Sequence, residues 1–387
     1  MIRVAWILVN DPAWIGGLNY FRNLMEALLA FRDRLIEPVV VGNPADLPSP
    51  LNLCPSIPRP TLPRLWPARM RDSIDRKILH NGGYFSKSLM KNEIRLLSHA
   101  QWLGLNSPVP AMCWIADFQH RRLPEFFSTE EQNSRNSIHA AMAVNAQAIL
   151  LSSQDARRDF CYFHPEAVKK TYVLPFVAHL PDAAVLPPAD TLLKHYAIAE
   201  PFFHVPNQLW AHKNHGVIVE ALRMLAARGR CPLVVSTGLT EDYRNPAYFS
   251  SISKRLDEIH LTDRFRFLGV VPYNHMAVLM RSSLAVINPS LFEGWSTTVE
   301  ESKSLGKRLL LSNIAVHREQ APGRSLYFEP HDQEALAAHI LEVLEAFDPD
   351  RERDELERAA RALPERMQQF ARAYQEIVLD VIARHKG

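Results

Sequence analysis

Short apolar segments that end in polar residues alternate with amphipathic helical segments along most of this chain. Near the N-terminus, the apolar run of "RVAWILVN" is followed by Gly16 and Gly17, then by "LNYFRNLMEALLAF" and by a second apolar run, "EPVVVG". Apolar residues recur at three- and four-residue spacing in the middle segment, which predicts an amphipathic helix. Strand, helix and strand in this order indicate a parallel βαβ unit, so we predict an α/β fold.

The alternation is interrupted by a proline-rich stretch at residues 180–200. It restarts at "PFFHVPNQ" and continues through "PLVVSTG", "FRFLGVV", "LAVINPS" and "RLLLSN". A chain of 387 residues is long enough for two domains, each with its own core. We predict two doubly wound, Rossmann-like domains at residues 1–185 and 186–363, followed by an amphipathic helix at residues 364–387.

Composition and charge exclude several classes of protein. Hydrophobic residues make up 47% of the chain and charged residues 22%, as in soluble globular proteins. The net charge of +2 indicates no general preference for nucleic acid. The four cysteines form no Cys-x-x-Cys pair, and the N-terminal apolar run is too short for a signal peptide or a spanning helix. We expect a cytoplasmic protein with reduced thiols.

Three carboxylates surround a turn in "NPSLFEGWSTTVEESKSLGK": Glu293, Glu300 and Glu301. Thr297 to Glu300 matches the capping box, so we expect Glu300 to cap a helix that starts there. Glu293 and Glu301 are left at the two ends of the turn, on either side of the helix N-terminus. Free amides at a helix N-terminus bind phosphate. A phosphate on the amides near residues 295–297, with a carboxylate on each side for hydroxyl groups, would suit a nucleotide sugar.

These residues carry a resemblance to a known family. Glu293 and Glu301, with seven residues between them and a Gly-aromatic pair after the first, resemble the E-x7-E region of retaining glycosyltransferases of family 4. "IGGLNYFRNLMEAL", "FHVPNQLWAHKNHGVIVEAL" and "FRFLGVVPYNHMAVLMRSSLAVINPS" resemble other segments of the same family. The resemblance implies the GT-B fold, with two Rossmann-like domains facing across a cleft and a C-terminal helix that returns to the first domain. The alternative is a final helix packed on the second domain.

The resemblance also implies roles for individual residues. Glu301 would accept hydrogen bonds from the ribose, and Lys213 would pair with the diphosphate. Glu293 and the backbone of residues 294–297 would hold the donor sugar and the distal phosphate. The implied catalytic residues are His120, Lys213 and Glu293, and the implied substrate-binding residues are Gly16, Gly17, Asn207, Gln208, Gly294, Trp295, Ser296, Thr297 and Glu301.

Two positions depart from the family pattern. Gln208 stands where the family usually has an arginine, so the leaving group would depend more on Lys213 and the helix N-terminus; His212 or a basic residue of the first domain is a possible substitute. Trp295 and Ser296 replace the more usual Phe-Gly, which we expect to narrow the sugar pocket.

The sequence favours metal-independent chemistry, and we expect no cofactor. His212 and His215 lack a third metal ligand nearby. The Asp-x-Asp of residues 348–350 falls in a predicted loop between helices, not at a strand end. Neither a P-loop motif nor Gly-x-Ser-x-Gly occurs in the chain, which excludes two further classes of enzyme.

Residues 59–91 carry eight Lys or Arg residues and two Asp, interleaved with apolar residues that include Leu62, Leu65 and Trp66. Such a segment can lie on an anionic membrane surface. The alternative is a solvated face over an ordinary apolar stripe.

The resemblance implies an enzyme that moves a hexosyl group, with retention, from a UDP- or GDP-sugar to a hydroxyl of a glycan or lipid-linked acceptor. Cell-surface polysaccharide synthesis is the implied setting, with possible peripheral contact at the inner membrane face. Two alternatives stay open: a nucleotide-sugar 2-epimerase of the same fold, and a non-catalytic nucleotide-sugar-binding subunit.

Overall fold

The computed structural model describes residues 1–8, 15–61, 66–77, 79–100 and 102–386. The chain forms two compact units, and neither is a single continuous stretch of sequence. The first unit contains Met1–Phe118, Thr129–Val177 and Glu365–Gly387; the second contains Gln119–Ser128 and Ala178–Pro364. The main boundary therefore lies between Val177 and Ala178, before the predicted position at 185.

The first unit is built on a parallel sheet of seven strands in the order β3-β2-β1-β4-β5-β6-β7. Its strands are apolar and mostly buried, as expected for strands covered on both faces. They are β1 (Ile2–Trp6), β2 (Ile36–Val41), β3 (Ser56–Ile57), β4 (Ile94–Ser98), β5 (Ala111–Ile115), β6 (Ala148–Leu151) and β7 (Thr171–Val173).

Helices connect these strands. The proline-rich region after β2 contains two short 3-10 turns and the two-residue edge strand β3, because proline cannot donate to a sheet or extend a helix. The helices of the first unit are α1 (Ile15–Ala30), α2 (Trp66–Lys77), α3 (Gly83–Lys91), α5 (Thr129–Asn145) and α6 (Gln154–Phe163). The short helix α4 (Gln119–Arg122) lies in the part of the chain that belongs to the second unit.

The second unit has a parallel sheet of six strands in the order β10-β9-β8-β11-β12-β13. The strand order reverses between β8 and β11, and ligands bind at such switch points, outside the carboxyl ends of the strands. The strands are β8 (Phe202–Val205), β9 (Leu233–Ser236), β10 (Phe265–Phe267), β11 (Val286–Asn288), β12 (Leu309–Ser312) and β13 (Ser325–Phe328).

The helices of the second unit pack on both faces of this sheet. One cluster of buried side chains includes Leu222, Phe265 and Ile340, and another includes Met280, Val299 and Leu305. The helices are α7 (Ala189–His195), α8 (His215–Ala226), α9 (Tyr248–Glu258), α10 (Tyr273–Ser282), α11 (Thr297–Leu305), α12 (Ala315–Gln320), α13 (Gln333–Glu345) and the first part of α14 (Pro349–Lys386).

The final helix belongs to both units. Its C-terminal half packs on the first unit, where the Gln375 side chain accepts a hydrogen bond from the Leu35 amide (2.7 Å) and Tyr374 donates to Ser98 (2.8 Å). The return of this helix to the first domain, which the family resemblance implied, is thereby confirmed. The helix itself starts earlier than predicted, because α14 begins at Pro349 and continues through Pro364, and the part that groups with the first unit begins at Glu365.

Candidate functional site

The switch point of the second sheet brings together two loops that follow β8 and β11. Asn207 lies just beyond β8 and Asn288 ends β11; the Asn207 side-chain amide donates to Asn288 Oδ1 at 3.4 Å. Gly238, after β9, closes against the same loop. A Cβ atom on Gly238 would stand 2.7 Å from the Asn207 carbonyl oxygen and 2.9 Å from the Gln208 nitrogen. The backbone of residues 207 and 208 is therefore fixed by a close approach that only glycine permits.

Lys213 and Glu293 form an ion pair at the mouth of this switch point. Lys213 ends a 3-10 turn, Ala211–Lys213, and its Nζ donates to Glu293 Oε1 at 2.6 Å. Ser290 Oγ donates to the same oxygen at 2.7 Å. The side chains are 16% and 10% exposed, so the pair is largely shielded from water but open at one side.

The Glu293 carboxylate is ionised at neutral pH. Burial alone would raise its pKa, but the nearby Lys213 charge and the hydrogen bonds from Lys213 and Ser290 outweigh burial and hold the pKa below the usual 4.5. Each of these two charged groups can replace a hydrogen bond that it makes now with one to an incoming polar ligand. Because the two groups stay next to each other, neither buried charge is then left without a partner.

Ser296 caps α11 and corrects our interpretation of the turn. Its side chain accepts a hydrogen bond from the Val299 amide, so the helix starts one residue earlier than the predicted capping box requires. In a capping box the carboxylate stands three residues after the cap, and that position is Val299. The predicted capping role of Glu300 is therefore wrong.

Glu300 instead belongs to a buried polar cluster. Its Oε1 accepts hydrogen bonds from Lys303 Nζ (2.9 Å) and Gln320 Nε2 (3.0 Å). Gln320, the last residue of α12, also donates to the Ser296 carbonyl (3.0 Å), and its Oε1 lies 3.3 Å from the Ser296 amide. One of the amides that we expected to face a phosphate thus has a side-chain acceptor in this structure.

Glu301 lies on the same helix and is held by a different partner. Tyr273, at the start of α10, donates to Glu301 Oε1 at 2.7 Å, and its hydroxyl is also 3.0 Å from the His179 carbonyl oxygen. Glu301 is only 3% exposed, whereas Val270, in the loop before α10, is 64% exposed.

Gly16 and Gly17, which the resemblance implies are substrate-binding residues, lie in a helix of the first unit. Gly16 and Gly17 are in the first turn of α1. A Cβ atom at Gly16 would meet no heavy atom within 4 Å. The backbone there has helical conformation, so a requirement for glycine would have to come from a ligand.

His120 is placed by α4, in the short segment that groups with the second unit. It is 1% exposed, and its ring stands edge to face with Phe127, with the centroids 6.3 Å apart. Its neighbour Gln119 accepts a hydrogen bond from Arg244 at 3.0 Å. His120 follows β5 along the chain, but the chain leaves the first unit at Phe118.

His212 does not supply the positive charge that is missing at Gln208. Burial, Lys213 and Arg244 hold the pKa of His212 well below 6.5, so the ring is neutral. Its Nδ1 accepts a hydrogen bond from Arg244 Nη2 at 3.3 Å. Arg244 itself lies 3.6 Å from Asp242 Oδ1, and both side chains are nearly buried.

Within the described ranges, no group of three or more His, Cys, Asp or Glu side chains is arranged to hold a metal ion. Asp348 and Asp350 lie at the start of α14, where Asp348 accepts from the amides of Asp350 and Arg351. Asp348 therefore lies in the predicted loop between helices, where it caps α14, whereas Asp350 lies in the first turn of that helix.

Comparison with known proteins agrees with this arrangement. Residues 197–363 match the protein family described as glycosyl transferases group 1. The chain is 23% identical over 144 residues to the O-antigen chain mannosyltransferase RfbU of Salmonella typhimurium, and 31% identical over 80 residues to O-antigen chain mannosyltransferase B of Escherichia coli. These alignments span 37% and 21% of this chain, and 38% and 21% of the relatives' own lengths.

Two solved structures align with almost the whole chain. A glycosyltransferase from Rickettsia africae has a TM-score of 0.69 at 15% identity, over 98% of both chains. HepE of Anabaena, in complex with UDP and glucose, has a TM-score of 0.63 at 15% identity, over 99% of this chain and 98% of its own. The chain has the GT-B fold. Within the second unit, residues 197–363 are similar to group 1 glycosyl transferases, so the resemblance to glycosyltransferases is confirmed for that part of the sequence.

Several residues of this candidate site were not predicted from the sequence. Asn288 and Ser290 were readable as polar residues at a strand end, the signal that we used elsewhere. Tyr273, Arg244 and Gln320 had no such signal, because they reach the site from other loops and helices. Only the packing of α10, α12 and the loop after β9 reveals them.

Proposed function

We propose that this chain is a retaining glycosyltransferase that moves a hexosyl group from a nucleotide-diphosphate sugar to a hydroxyl of a glycan or lipid-linked acceptor. The observation that carries the proposal is the Lys213–Glu293 pair beside the N-terminus of α11, inside a group 1 glycosyl transferase domain. A shielded cation next to helix amides suits a diphosphate, and a carboxylate beside them suits sugar hydroxyls.

In this proposal the donor displaces part of the existing hydrogen bonding. The diphosphate takes the Lys213 ammonium and the amides of residues 294–297, and Glu293 then accepts hydrogen bonds from the sugar. Glu301, oriented by Tyr273, accepts from the ribose. The loop of Asn207 and Gln208 faces the phosphates. Gly16 and Gly17 leave two positions in the first turn of α1 without side chains, so that the diphosphate can approach the backbone.

The reaction needs no metal in this scheme. The bond between the anomeric carbon and the diphosphate oxygen breaks, and the acceptor oxygen bonds to the same face of that carbon. The acceptor proton passes to the departing phosphate oxygen. Lys213 and the α11 N-terminus stabilise the leaving diphosphate, which is the main catalytic contribution. His120 contacts the donor sugar near the acceptor.

The relatives suggest which substrates to test first. Two are named as O-antigen chain mannosyltransferases, and HepE was solved with UDP and glucose. We propose that this chain acts in cell-surface polysaccharide synthesis, with mannose as the first sugar to test. The base is read near Val270, so both UDP and GDP belong in the experiment.

The test combines binding with turnover. UDP, GDP and their sugars are screened by thermal shift, since a ligand at 100 times its Kd stabilises by about 2.7 kcal/mol. Transfer from the stabilising donor is then measured for the wild type and for Lys213→Ala and Glu293→Gln. We expect each variant to lose at least roughly 10²-fold in kcat.

Matched controls are the exposed Lys254→Ala and Glu258→Gln on α9, which should leave transfer unchanged. Full activity of Lys213→Ala would contradict the proposal. Interconversion of nucleotide sugars without an acceptor would indicate a 2-epimerase instead. Tight donor binding without turnover on any acceptor would indicate a binding subunit.

We also propose that residues 59–91 bring the protein to the inner face of an anionic membrane. Leu62, Leu65 and Ile78 lie outside the described residues, as does the side chain of Trp66. No helix among those described is long and apolar enough to span a membrane. On α2, α3 and the turn between them, large apolar side chains are 40% to 52% exposed: Met70, Ile74, Leu79, Tyr84 and Met90.

Exposed basic residues lie beside these apolar side chains. Arg69 and Arg71 are exposed on α2, and Lys91 is exposed at the end of α3. Flotation with vesicles of phosphatidylglycerol and phosphatidylcholine should carry the protein upward, less so at high salt. Met70→Ser with Ile74→Ser should reduce flotation, whereas Ile138→Ser, at an exposed position on α5, should not. Equal flotation with neutral vesicles, or none, would contradict this contact.

A further inference from the structure

Arg244 is a buried arginine of the second unit that contacts both polar and aromatic side chains. It lies in the connection between β9 and α9, and its side chain is 5% exposed. Its guanidinium group lies 4.8 Å from the ring centroids of both Phe127 and Trp210, and 5.6 Å from that of Tyr243. A guanidinium in such an aromatic surrounding has few alternative positions, because its planar group stacks on the rings.

The polar contacts of Arg244 reach two separate pieces of chain. Its Nη1 donates to Gln119 Oε1 at 3.0 Å, in the short segment of residues 119–128 that also carries His120. Its Nη2 donates to His212 Nδ1 at 3.3 Å, in the turn that ends at Lys213. Arg244 therefore bridges the 119–128 segment and the lysine turn.

Asp242 completes the bridge and balances the charge. It is 4% exposed and lies 3.6 Å from the Arg244 guanidinium. Its two carboxylate oxygens accept hydrogen bonds from the Ala211 amide and the Arg244 amide, both at 3.0 Å. Since Arg244 is neutralised by Asp242 and enclosed by rings, it does not replace the charge that Gln208 lacks. Its contacts favour a role in holding chain segments together.

We propose that Arg244 is a positioning residue that fixes the 119–128 segment, and with it His120, relative to Lys213. This inference rests on the proposed function, in which His120 and Lys213 act on one donor. Arg244 contacts the segment through the hydrogen bond that it donates to Gln119, the residue before His120, and through the ring of Phe127, which packs against both His120 and Arg244. Removing the guanidinium removes both together.

The first test measures the segment directly and does not depend on activity. Amide hydrogen exchange in residues 119–128 is compared between the wild type and Arg244→Met, with Arg255→Met as the control. Arg255 is a partly exposed arginine on α9 that pairs with Glu220, outside this cluster. We expect exchange in the segment to rise at least roughly tenfold in Arg244→Met and to stay unchanged in the control. Unchanged exchange in Arg244→Met would overturn the inference.

The second test asks whether Arg244 acts through His120. Misplacement of a catalytic group by about 1 Å costs on the order of 10²-fold, so Arg244→Met should lower kcat by one to two orders of magnitude with little change in the KM for the donor. Arg244→Lys should restore little, because an ammonium cannot stack and bond as the planar group does.

The double variant Arg244→Met with His120→Ala should be no slower than His120→Ala alone. Additive losses would mean that Arg244 does not act through His120, and would overturn the inference. A wild type that transfers no sugar would contradict the proposed function instead, and the exchange experiment would still decide whether Arg244 fixes the segment.

Discussion

Gln320 binds the backbone of Ser296 on both sides: its Nε2 donates to the Ser296 carbonyl at 3.0 Å, and its Oε1 lies 3.3 Å from the Ser296 amide. The same Nε2 also donates to the Glu300 carboxylate. Gln320, at the end of α12, therefore holds Ser296, which caps α11. The turn between Glu293 and α11 thus depends on a residue that lies 24 positions after the cap in the sequence.

The first prediction concerns this contact. Gln320→Leu leaves the Ser296 carbonyl and the Glu300 carboxylate without one donor each, and unmade buried hydrogen bonds cost about 1–3 kcal/mol. We expect a loss of that size in the free energy of unfolding, measured by chemical denaturation. Gln369→Leu, which removes an exposed hydrogen bond to Glu365, is the control and should change little. Equal stabilities of the two variants would contradict a structural role for Gln320.

The second prediction concerns Gly238, whose φ is +137°. Gly238→Ala places a Cβ 2.7 Å from the Asn207 carbonyl oxygen, and the atoms that would have to move are backbone. We expect a loss of about 1–3 kcal/mol in stability together with weaker donor binding, measured by denaturation and by titration with the nucleotide.

Gly229→Ala is the matched control for Gly238→Ala. Its φ is +70°, and a Cβ there would meet nothing within 4 Å. Gly229→Ala should lower the free energy of unfolding only by the backbone strain of a positive φ, and it should leave donor binding unchanged. If both variants bind the donor as the wild type does, the close approach of Gly238 to the backbone of residues 207 and 208 is not needed for donor binding.

The extent to which the sequence predicted the site depended on distance along the chain. The parallel sheets and α1 followed from apolar runs and apolar periodicity, and α11 followed from its capping pattern; all of these are local signals. Lys213 and Glu293 were each predicted to face the donor, but their direct ion pair was not, because it joins residues 80 positions apart. The helix cap was displaced by one residue, since both Ser296 and Thr297 can cap a helix and only packing distinguishes them.

The start of the last helix was predicted wrongly because of Pro364, and the reason is physical. Proline is favoured in the first turn of a helix, so "PERMQQF" predicted a start at 364. Residues 349–363 are rich in Arg, Glu and Ala, which favour helix strongly enough to continue through the proline. The Lys307–Glu352 contact holds that earlier part of α14 in the second unit.

The third prediction concerns pH. Burial lowers the pKa of His204 and of His215 to about 3, and that of His317 to about 4, from 6.5. The unfolded chain therefore binds more protons than the folded one between pH 6.5 and 4. Stability is complete above about pH 6.5 and falls as the pH drops, by about 2 kcal/mol per histidine between pH 7 and 5.

His215 offers a clean test of this prediction, because neither ring nitrogen has a hydrogen-bond partner among the described residues. His215→Leu removes the titrating group without breaking a described hydrogen bond. Denaturation at pH 7 and pH 5 should show a smaller difference for the variant than for the wild type, by about 2 kcal/mol. The same pH dependence in both proteins would contradict the depressed pKa of His215.

The fourth prediction concerns the buried cluster that anchors α14. Lys307, whose side chain is 0% exposed, donates to Glu352 Oε1 at 2.7 Å, and Arg324 donates to the other carboxylate oxygen at 2.7 Å. Burial would raise the pKa of Glu352, but Lys307 and Arg324 outweigh it and lower the pKa below 4.5. The carboxylate is therefore ionised, and its stabilising contribution is present above about pH 4.5 and lost as the pH falls further.

Glu352→Gln removes the negative charge beside Lys307 and leaves this buried cation with neutral acceptors, namely the Arg281 carbonyl and the oxygen of the introduced amide. Removing one partner of a buried pair costs about 3–5 kcal/mol. We expect a loss of that size in unfolding free energy, with faster proteolysis in residues 349–364. Arg353→Gln, on an exposed pair with Asp350, should change neither measurement. Lys307→Met with Glu352→Gln should lose less than the sum of the single variants, because the fully buried cation is removed together with its counter-ion, while Arg324 keeps its hydrogen bond to the Gly306 carbonyl. Strict additivity would show that Lys307 and Glu352 do not stabilise each other.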